Sequence, residues 1–415
     1  MWLKRVLSIP LLCSVLSAQV YGTFSNPLKA GRSGVEALAV SPESKYIVTG
    51  SSDTTKVWDA TDGSLLYTLE QPEGEYIREL AISPDASYIV GRSFHGALVW
   101  NADTGKLRYQ LPVGVGGTSD MAISPDNTYI VTAAHHLKPS DLYSGAAVPG
   151  GSLRVWDAAT GTLRHELVGH TMGGAYSVAI SPNSKFIITG GPDRTVRIWD
   201  AQSGRQLRMF KPDANSDVQV VAISPDGRYI AAATAVGSGS KINRTYVWDT
   251  ESEAFKQGGD EPLYTLSIDD SNRVHEIQFA PDSSYMLTSG MKKGGSSRYN
   301  GKIRAWDLRT GNMMYALGSH GYVAMAISPD SNSLVTGETY ATTGESVKSE
   351  SYAPRVWDAR TGTLKHLLHP ADRMGWGSSA GIAISVAFSP NNKFIVTGYA
   401  SGDAEVWDAQ TGKLL

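Results

Sequence analysis

Val178-Ala-Ile-Ser-Pro-Asn-Ser-Lys-Phe-Ile-Ile-Thr-Gly-Gly-Pro-Asp-Arg-Thr-Val-Arg-Ile-Trp-Asp-Ala-Gln-Ser-Gly-Arg-Gln-Leu-Arg-Met-Phe210 reads as one structural unit. Val-Ala-Ile-Ser is a short strand of small and β-branched residues, suited to a crowded position. Pro182-Asn183 turns the chain, Pro by fixing φ and Asn by bonding back to the backbone. Phe186 to Thr189 is a second strand and Val196 to Trp199 a third. Asp200 to Gly204 is another turn, with Gly supplying the left-handed position. A fourth strand follows, of the Leu65-Leu-Tyr-Thr-Leu69 type. Four short strands joined by tight turns make an antiparallel meander.

The unit recurs. Val386 to Leu415 aligns with it, and matching starts occur at Leu38, Leu80, Met121, Val221, Ile277 and Met325. Each copy closes its third strand on a Trp: Trp58, Trp100, Trp156, Trp199, Trp248, Trp306, Trp357 and Trp407. Asp follows in seven copies and Asn101 in one. The Trp spacing averages about 50 residues, somewhat above the roughly 40–45 of a four-stranded propeller blade, so loops are inserted. One such sheet cannot bury both faces, whereas eight stacked around an axis can. The expected fold is all-β: an eight-bladed β-propeller of four-stranded antiparallel blades.

Eight copies of a Ser-Pro-Asp-type turn and a Trp-Asp ending resemble the WD-repeat (WD40) β-propeller family, over roughly Leu28 to Leu415. In that family a His, a Ser or Thr, an Asp and the Trp form a structural hydrogen-bond set. The resemblance places it at His170, Thr189, Asp193 and Trp199. The first unit keeps Thr49, Asp53 and Trp58, but most units lack the Gly-His pair. A thin network is therefore implied, with stability coming from apolar packing between blades. The last unit stops at Leu415, short of a full fourth strand, and Leu28 falls where Leu69, Leu111 and Leu167 end theirs. The N-terminal segment is thus expected to pair in the last blade, as propellers of this family commonly close. The resemblance implies a non-enzymatic protein-interaction scaffold.

Lys and Arg number 37 against 40 Asp and Glu, a net charge of −3. No basic surface argues for nucleic acid. Cys13 is the single cysteine, so neither a disulfide framework nor a thiol metal site is available. Lys4 and Arg5 precede an apolar run from Val6 to Ala18, and the next acidic residue is Glu36. This pattern predicts a signal peptide over 1–22 and a single propeller over 23–415. The run is too short for a membrane span, which needs about 20 residues. A secreted or endomembrane-luminal protein is expected, with a cytoplasmic one as the alternative. A monomer is expected. One sequon, Asn243-Arg244-Thr245, falls where a long loop could carry a glycan.

Function is sought where the repeats break their pattern. From the second-strand Thr position to the Trp is 9 or 10 residues in blades one, two, four and eight, and 16 to 24 in blades three, five, six and seven. All four insertions fall in the second-to-third-strand connection, which emerges on one face of a propeller together with the blade crossings. The opposite face is uniform except for an enlarged link from Thr250 to Pro262. Loops on a rigid scaffold are where binding concentrates. The insertions hold His135, His136 and Tyr143 in blade three, Lys241 and Arg244 in blade five, Lys292, Lys293, Arg298 and Tyr299 in blade six, and Tyr340 and Tyr352 in blade seven. Trp376, between two glycines and near Arg373, sits in an enlarged crossing between blades seven and eight. Tyr, Trp and Arg are the residue types of interface hot spots. Trp376, Arg373, Tyr143, His135, His136, Arg298, Tyr299, Tyr340 and Tyr352 are the candidate partner-binding residues, toward a protein, peptide or surface glycan. His135-His136 lacks a third metal ligand by spacing. No catalytic constellation, cofactor or metal is expected. Asp408 to Leu414 also resembles the repeat of eight-bladed quinoprotein dehydrogenases, but the Trp precedes the turn here, and the vicinal cysteines frequent in that group are absent. A structural extracellular protein is the third reading.

Overall fold

The computed structural model describes residues 27–113, 117–134, 153–236, 243–268, 272–293, 299–319, 324–337, 353–369 and 382–415. They form eight sheets of four antiparallel strands arranged in a ring. Blade four is Ser177–Ile180, Phe186–Gly190, Val196–Asp200 and Gln206–Phe210. Its register pairs Ile187 with Trp199 and Trp199 with Gln206. First strands of neighbouring blades lie against one another and surround the axis.

The turns explain the sequence rhythm. In the Ser-Pro turns the Ser hydroxyl oxygen accepts the N–H groups four and five residues on: Ser41 Oγ takes those of Lys45 and Tyr46 at 2.9 and 3.1 Å. The chain then passes through a left-handed residue, such as Ser184 at φ 57°. The Asp, or in blade two the Asn101, after each Trp is a turn former, as expected. Asp157 Oδ1 accepts the N–H groups of Ala159 and Thr160 and the Thr160 hydroxyl. Gly161, at φ +71°, completes that turn, and its Cβ-less face lies under the Tyr109 ring of the preceding blade. Tyr109 also donates its hydroxyl to the Ala158 carbonyl. The same latch recurs from Tyr67 to Ala102, His165 to Gln202, Tyr264 to Arg309 and Tyr315 to Ala359.

The core lies between blades. One cluster joins Val48, Val57 and Leu69 of blade one to Ile89, Leu98 and Trp100 of blade two. Another joins Val131, Leu153 and Val155 of blade three to Ile187 and Trp199 of blade four. Trp100, Trp199, Trp248 and Trp407 are fully buried.

Closure uses both ends of the repeat array. The outer strand of blade eight, Leu28–Lys29, pairs with Ala404 and Asp403. Beside it Leu414 bridges Trp407, and Leu415 N–H donates to the Val406 carbonyl at 2.9 Å. The fourth strand of the last blade is thus composite.

Two expectations change, and the enlarged link gains a detail. The insertions of blades five and six are largely strand. Tyr229–Val236 pairs with Asn243–Asp249, and Tyr285–Lys293 with Tyr299–Asp307 out to Lys293 opposite Tyr299. Arg244, Lys292, Lys293 and Tyr299 therefore sit in paired strands, because alternating residues there extend the hairpin ladder. Asn243 of the sequon opens such a strand and is 8% exposed, with Thr245 fully buried, so no long loop presents it. The enlarged link after blade five's third strand contains a one-turn helix, Glu253–Lys256, capped by Ser252, whose Oγ accepts the Phe255 N–H.

Candidate functional site

The Trp of six blades reaches back to a Thr on its second strand. In blade four, Trp199 Nε1–H donates to Thr189 Oγ1 at 2.9 Å. The Thr189 hydroxyl then donates to His170 Nε2 at 2.7 Å, and His170 Nδ1–H donates to Asp193 Oδ1 at 2.9 Å. This order needs a neutral imidazole, and burial does hold the His170 pKa below its ordinary value. Burial pushes Asp193 up, but hydrogen bonds from His170 and Thr195 outweigh it and hold the carboxyl at about 2. Arg197 lies 3.1 Å away to balance the charge. The Trp–Thr half recurs in blades one, three, six, seven and eight, at 2.8 to 3.0 Å. Blades two and five have Gly91 and Ala232 at the Thr position, and Trp100 and Trp248 donate to the Glu70 and Asp260 carbonyls instead. The network is thus thin only in its His half. In blade one, Asp53 accepts from the Arg32 N–H and the Ser33 hydroxyl.

The axis end on the elaborated face is built by β-bulges. Pairing of first and second strands skips Glu36, Ser119, Gln219, His275 and Ile384 in blades one, three, five, six and eight. A bulge re-aims the extra side chain. The next position is small or apolar in most blades but is Glu79, Asp120 and Glu276 in blades two, three and six. Asp120 Oδ2 accepts the Val178 N–H of the next blade at 2.8 Å. The equivalent Ser177 accepts from Val221, and Ser385 donates to the Val35 carbonyl. These side chains stitch the inner ring.

A cavity of about 430 Å³ opens here, lined mainly by first strands of blades one, two, six, seven and eight, with Glu36, Arg78, Glu79, Arg92, His275 and Glu276 as its ionisable groups. Arg92 Nε donates to Glu79 at 2.6 Å and Nη1 to the Thr118 carbonyl. Burial, reinforced by Glu79, pushes Asp120 up to about 7. Burial does the same to Glu276, against a hydrogen bond from Gln278. Burial and then Arg273 push His275 down to about 4. The cavity thus presents a neutral imidazole at neutral pH, an Arg–Glu pair and one carboxyl, Glu276, whose ionisation burial opposes. It is a surface of donors and acceptors fit for recognition.

On the same face, Tyr76 in the crossing from blade one and Phe94 in the tight Ser93–Gly96 turn are 52% and 54% exposed. The Phe94 ring meets His95 edge-on at 5.3 Å, and His95 Nδ1 lies 3.0 Å from the buried Glu75 carboxylate. Sequence reasoning passed over both aromatics because it weighed long connections, and these sit in short ones. Of its own candidates, Tyr299 lies at the start of a paired strand. His135, His136, Tyr143, Arg298, Tyr340, Tyr352, Arg373 and Trp376 fall outside the described residues. Among the described residues no His, Cys, Asp and Glu group has the arrangement of a metal site, and no helix is long and apolar enough to cross a membrane.

The family model described as "WD domain, G-beta repeat" matches residues 22–59, 161–200 and 376–408. These include the first three strands of blades one, four and eight. No curated protein matches the chain. Among solved structures, the computationally designed Ika8 protein is similar, with 22% identity over 93% of this chain and 100% of that one, at a TM-score of 0.66. At that identity the likeness speaks to fold.

Proposed function

We propose, starting from a chain that is a WD-repeat β-propeller, that it holds a protein or peptide partner on the face carrying the second-to-third-strand connections and the channel mouth. Propellers of this family are generally interaction scaffolds and typically not enzymes. The observation that supports this face is the pair of half-exposed aromatics, Tyr76 and Phe94, on the side where the channel opens among mixed polar groups. Aromatic anchors on a rigid frame lose little entropy on docking, so their contact area converts well into affinity. Trp376, Arg373 and Tyr352 belong to the same proposed surface. Export through residues 1–22 is part of the proposal, and the intact mass of protein from its own cells tests it.

The binding test is affinity capture from the medium and from lysate, comparing wild type with Tyr76→Ala/Phe94→Ala and with Trp376→Ala. Loss of a captured partner with an unchanged melting temperature supports the face. Retention of every partner by both variants overturns it.

A further inference from the structure

Several seams between blades are joined in the same way on the face opposite the channel mouth. The second-strand Tyr of one blade donates to a turn carbonyl of the next: Tyr129 to Ser184 and Tyr285 to Ser331. In return, the left-handed turn residue of the next blade accepts a backbone N–H: Ser184 from Asp126, Ser283 from Asp226, Ser331 from Asp282 and Ser44 from Asn391. The seam between blades four and five has neither half. Its second-strand aromatic is Phe186, without a hydroxyl and 37% exposed, where Tyr88, Tyr129 and Tyr285 are at most 2% exposed. Its left-handed turn residue is Gly227, where other blades place Ser, Ala or Asn. A Cβ on Gly227 would meet only the Pro182 ring, at 3.7 Å or more, so the space is open.

The cleft left behind measures about 510 Å³. Ile188, Ile198, Leu207, Ile223, Ile230 and Phe255 are among its walls. Phe255 comes from the short helix of the enlarged link, which roofs this seam. Arg208 also lines the cleft. It stands where other blades carry the latch Tyr or His. Its guanidinium stacks on Phe255 at 3.8 Å, and it donates to the Phe255 and Gly259 carbonyls. Burial holds its pKa below the ordinary value. The other charges at the rim are matched: Lys256 with Glu251 at 2.9 Å, and Asp226 with the Ser224 hydroxyl and the Arg228 N–H. Among the described residues, Arg208 has no carboxylate within ion-pair distance.

We infer that this cleft is a binding site for a small amphiphilic carboxylate, with its apolar body between blades four and five and its acid group on Arg208. The volume lies in the range of roughly 300–1,000 Å³ of small-molecule pockets, whose pattern is apolar walls with a few placed polar groups. A planar guanidinium donates two parallel hydrogen bonds to a carboxylate. The site is separate from the proposed partner-binding face.

Decanoate and decan-1-ol serve as probes in calorimetric titrations of the full chain. Wild type binds decanoate saturably, one to one, and at least tenfold tighter than decanol. Phe186→Tyr/Gly227→Ser restores the side chains other seams use. It leaves the melting temperature equal or higher and weakens decanoate at least tenfold. Arg208→Gln abolishes the preference for the acid over the alcohol. Photolabelling of wild type with a diazirine-bearing decanoate marks peptides containing Phe186, Leu207 or Phe255, which tests the site without any variant. No saturable binding, equal affinity for alcohol and acid, unchanged affinity in the double variant, or labelling elsewhere each overturns the inference.

Discussion

Glu276 offers a sharp test of the inner ring. Its carboxyl sits at the first-strand position that is small or apolar in most blades, accepts from Gln278 Nε2 at 2.6 Å, and is pushed from the ordinary 4.5 up to about 7. A carboxyl whose folded pKa is raised keeps its proton in the native state after the unfolded chain has lost it. Stability therefore falls as pH rises from about 4.5, and the loss is complete above about 7. At ~1.4 kcal/mol per pH unit, that window withdraws roughly 3 kcal/mol. Glu276→Gln keeps the size and an acceptor for Gln278 but never ionises. The variant should match wild type near pH 4.5 and exceed it by roughly 3 kcal/mol at pH 8. Unfolding entropy near 2 cal/mol/K per residue makes that a rise of about 4 °C for a chain of this length. The assay is the melting temperature of both proteins from pH 4.5 to 8.5. A difference that stays flat across this range refutes the argument that burial of this carboxyl opposes its ionisation.

Other substitutions test the remaining joints. Thr189→Val strands the Trp199 N–H and His170 Nε2 in a dry site and should cost roughly 2–4 kcal/mol in urea unfolding. His170→Phe should cost less, because the Trp–Thr bond at 2.9 Å survives it. Gly161→Ala places a methyl 2.6 Å from the Tyr109 ring at a φ of +71° and should lower stability by about 1–3 kcal/mol, whereas Gly74→Ala, with nothing within 4 Å, should register only its backbone strain. Leu28→Ala removes a buried side chain from the closing strand, with an expected loss of about 2–4 kcal/mol and faster proteolysis around residue 30.

The ring was legible because its unit repeats. Each Trp, each Pro-Asp turn and each turn Gly has a local physical reason, and eight copies average out the ambiguity of any one. Closure by Leu28 could be read from a missing fourth strand and a spare apolar residue, but the share taken by Leu414 and Leu415 could not, since two residues carry no periodicity. The strand extensions of blades five and six were hidden because the polar residues they add, Arg244, Lys292 and Lys293 among them, read as inserted loop. The binding face was weighed by loop length, a signal blind to Phe94 at the tip of a tight turn. The three first-strand acids at Glu79, Asp120 and Glu276 were visible in an alignment of the repeats, but their environment was not, because burial around an axis depends on neighbours from other blades. The open seam at Phe186 and Gly227 is of the same kind: each is an ordinary residue, and only their meeting across two blades makes a cleft.

The composite strand of blade eight gives the ring a clasp. Every other blade is sewn by one continuous stretch of chain, so it can form as soon as that stretch exists. The eighth needs segments separated by almost the whole sequence, Leu28–Lys29 on one half of its third strand and Leu414–Leu415 on the other. Seven blades can therefore stack into an open arc before the circle shuts, and the last event of assembly is a long-range loop closure with only a few backbone bonds to hold it. Tension applied between residues 28 and 415 would load those bonds first. The same adjacency means that a short peptide joining the two segments would turn the clasp into a hinge of fixed length, and the chain could then be cut at another blade-to-blade crossing without losing the circle.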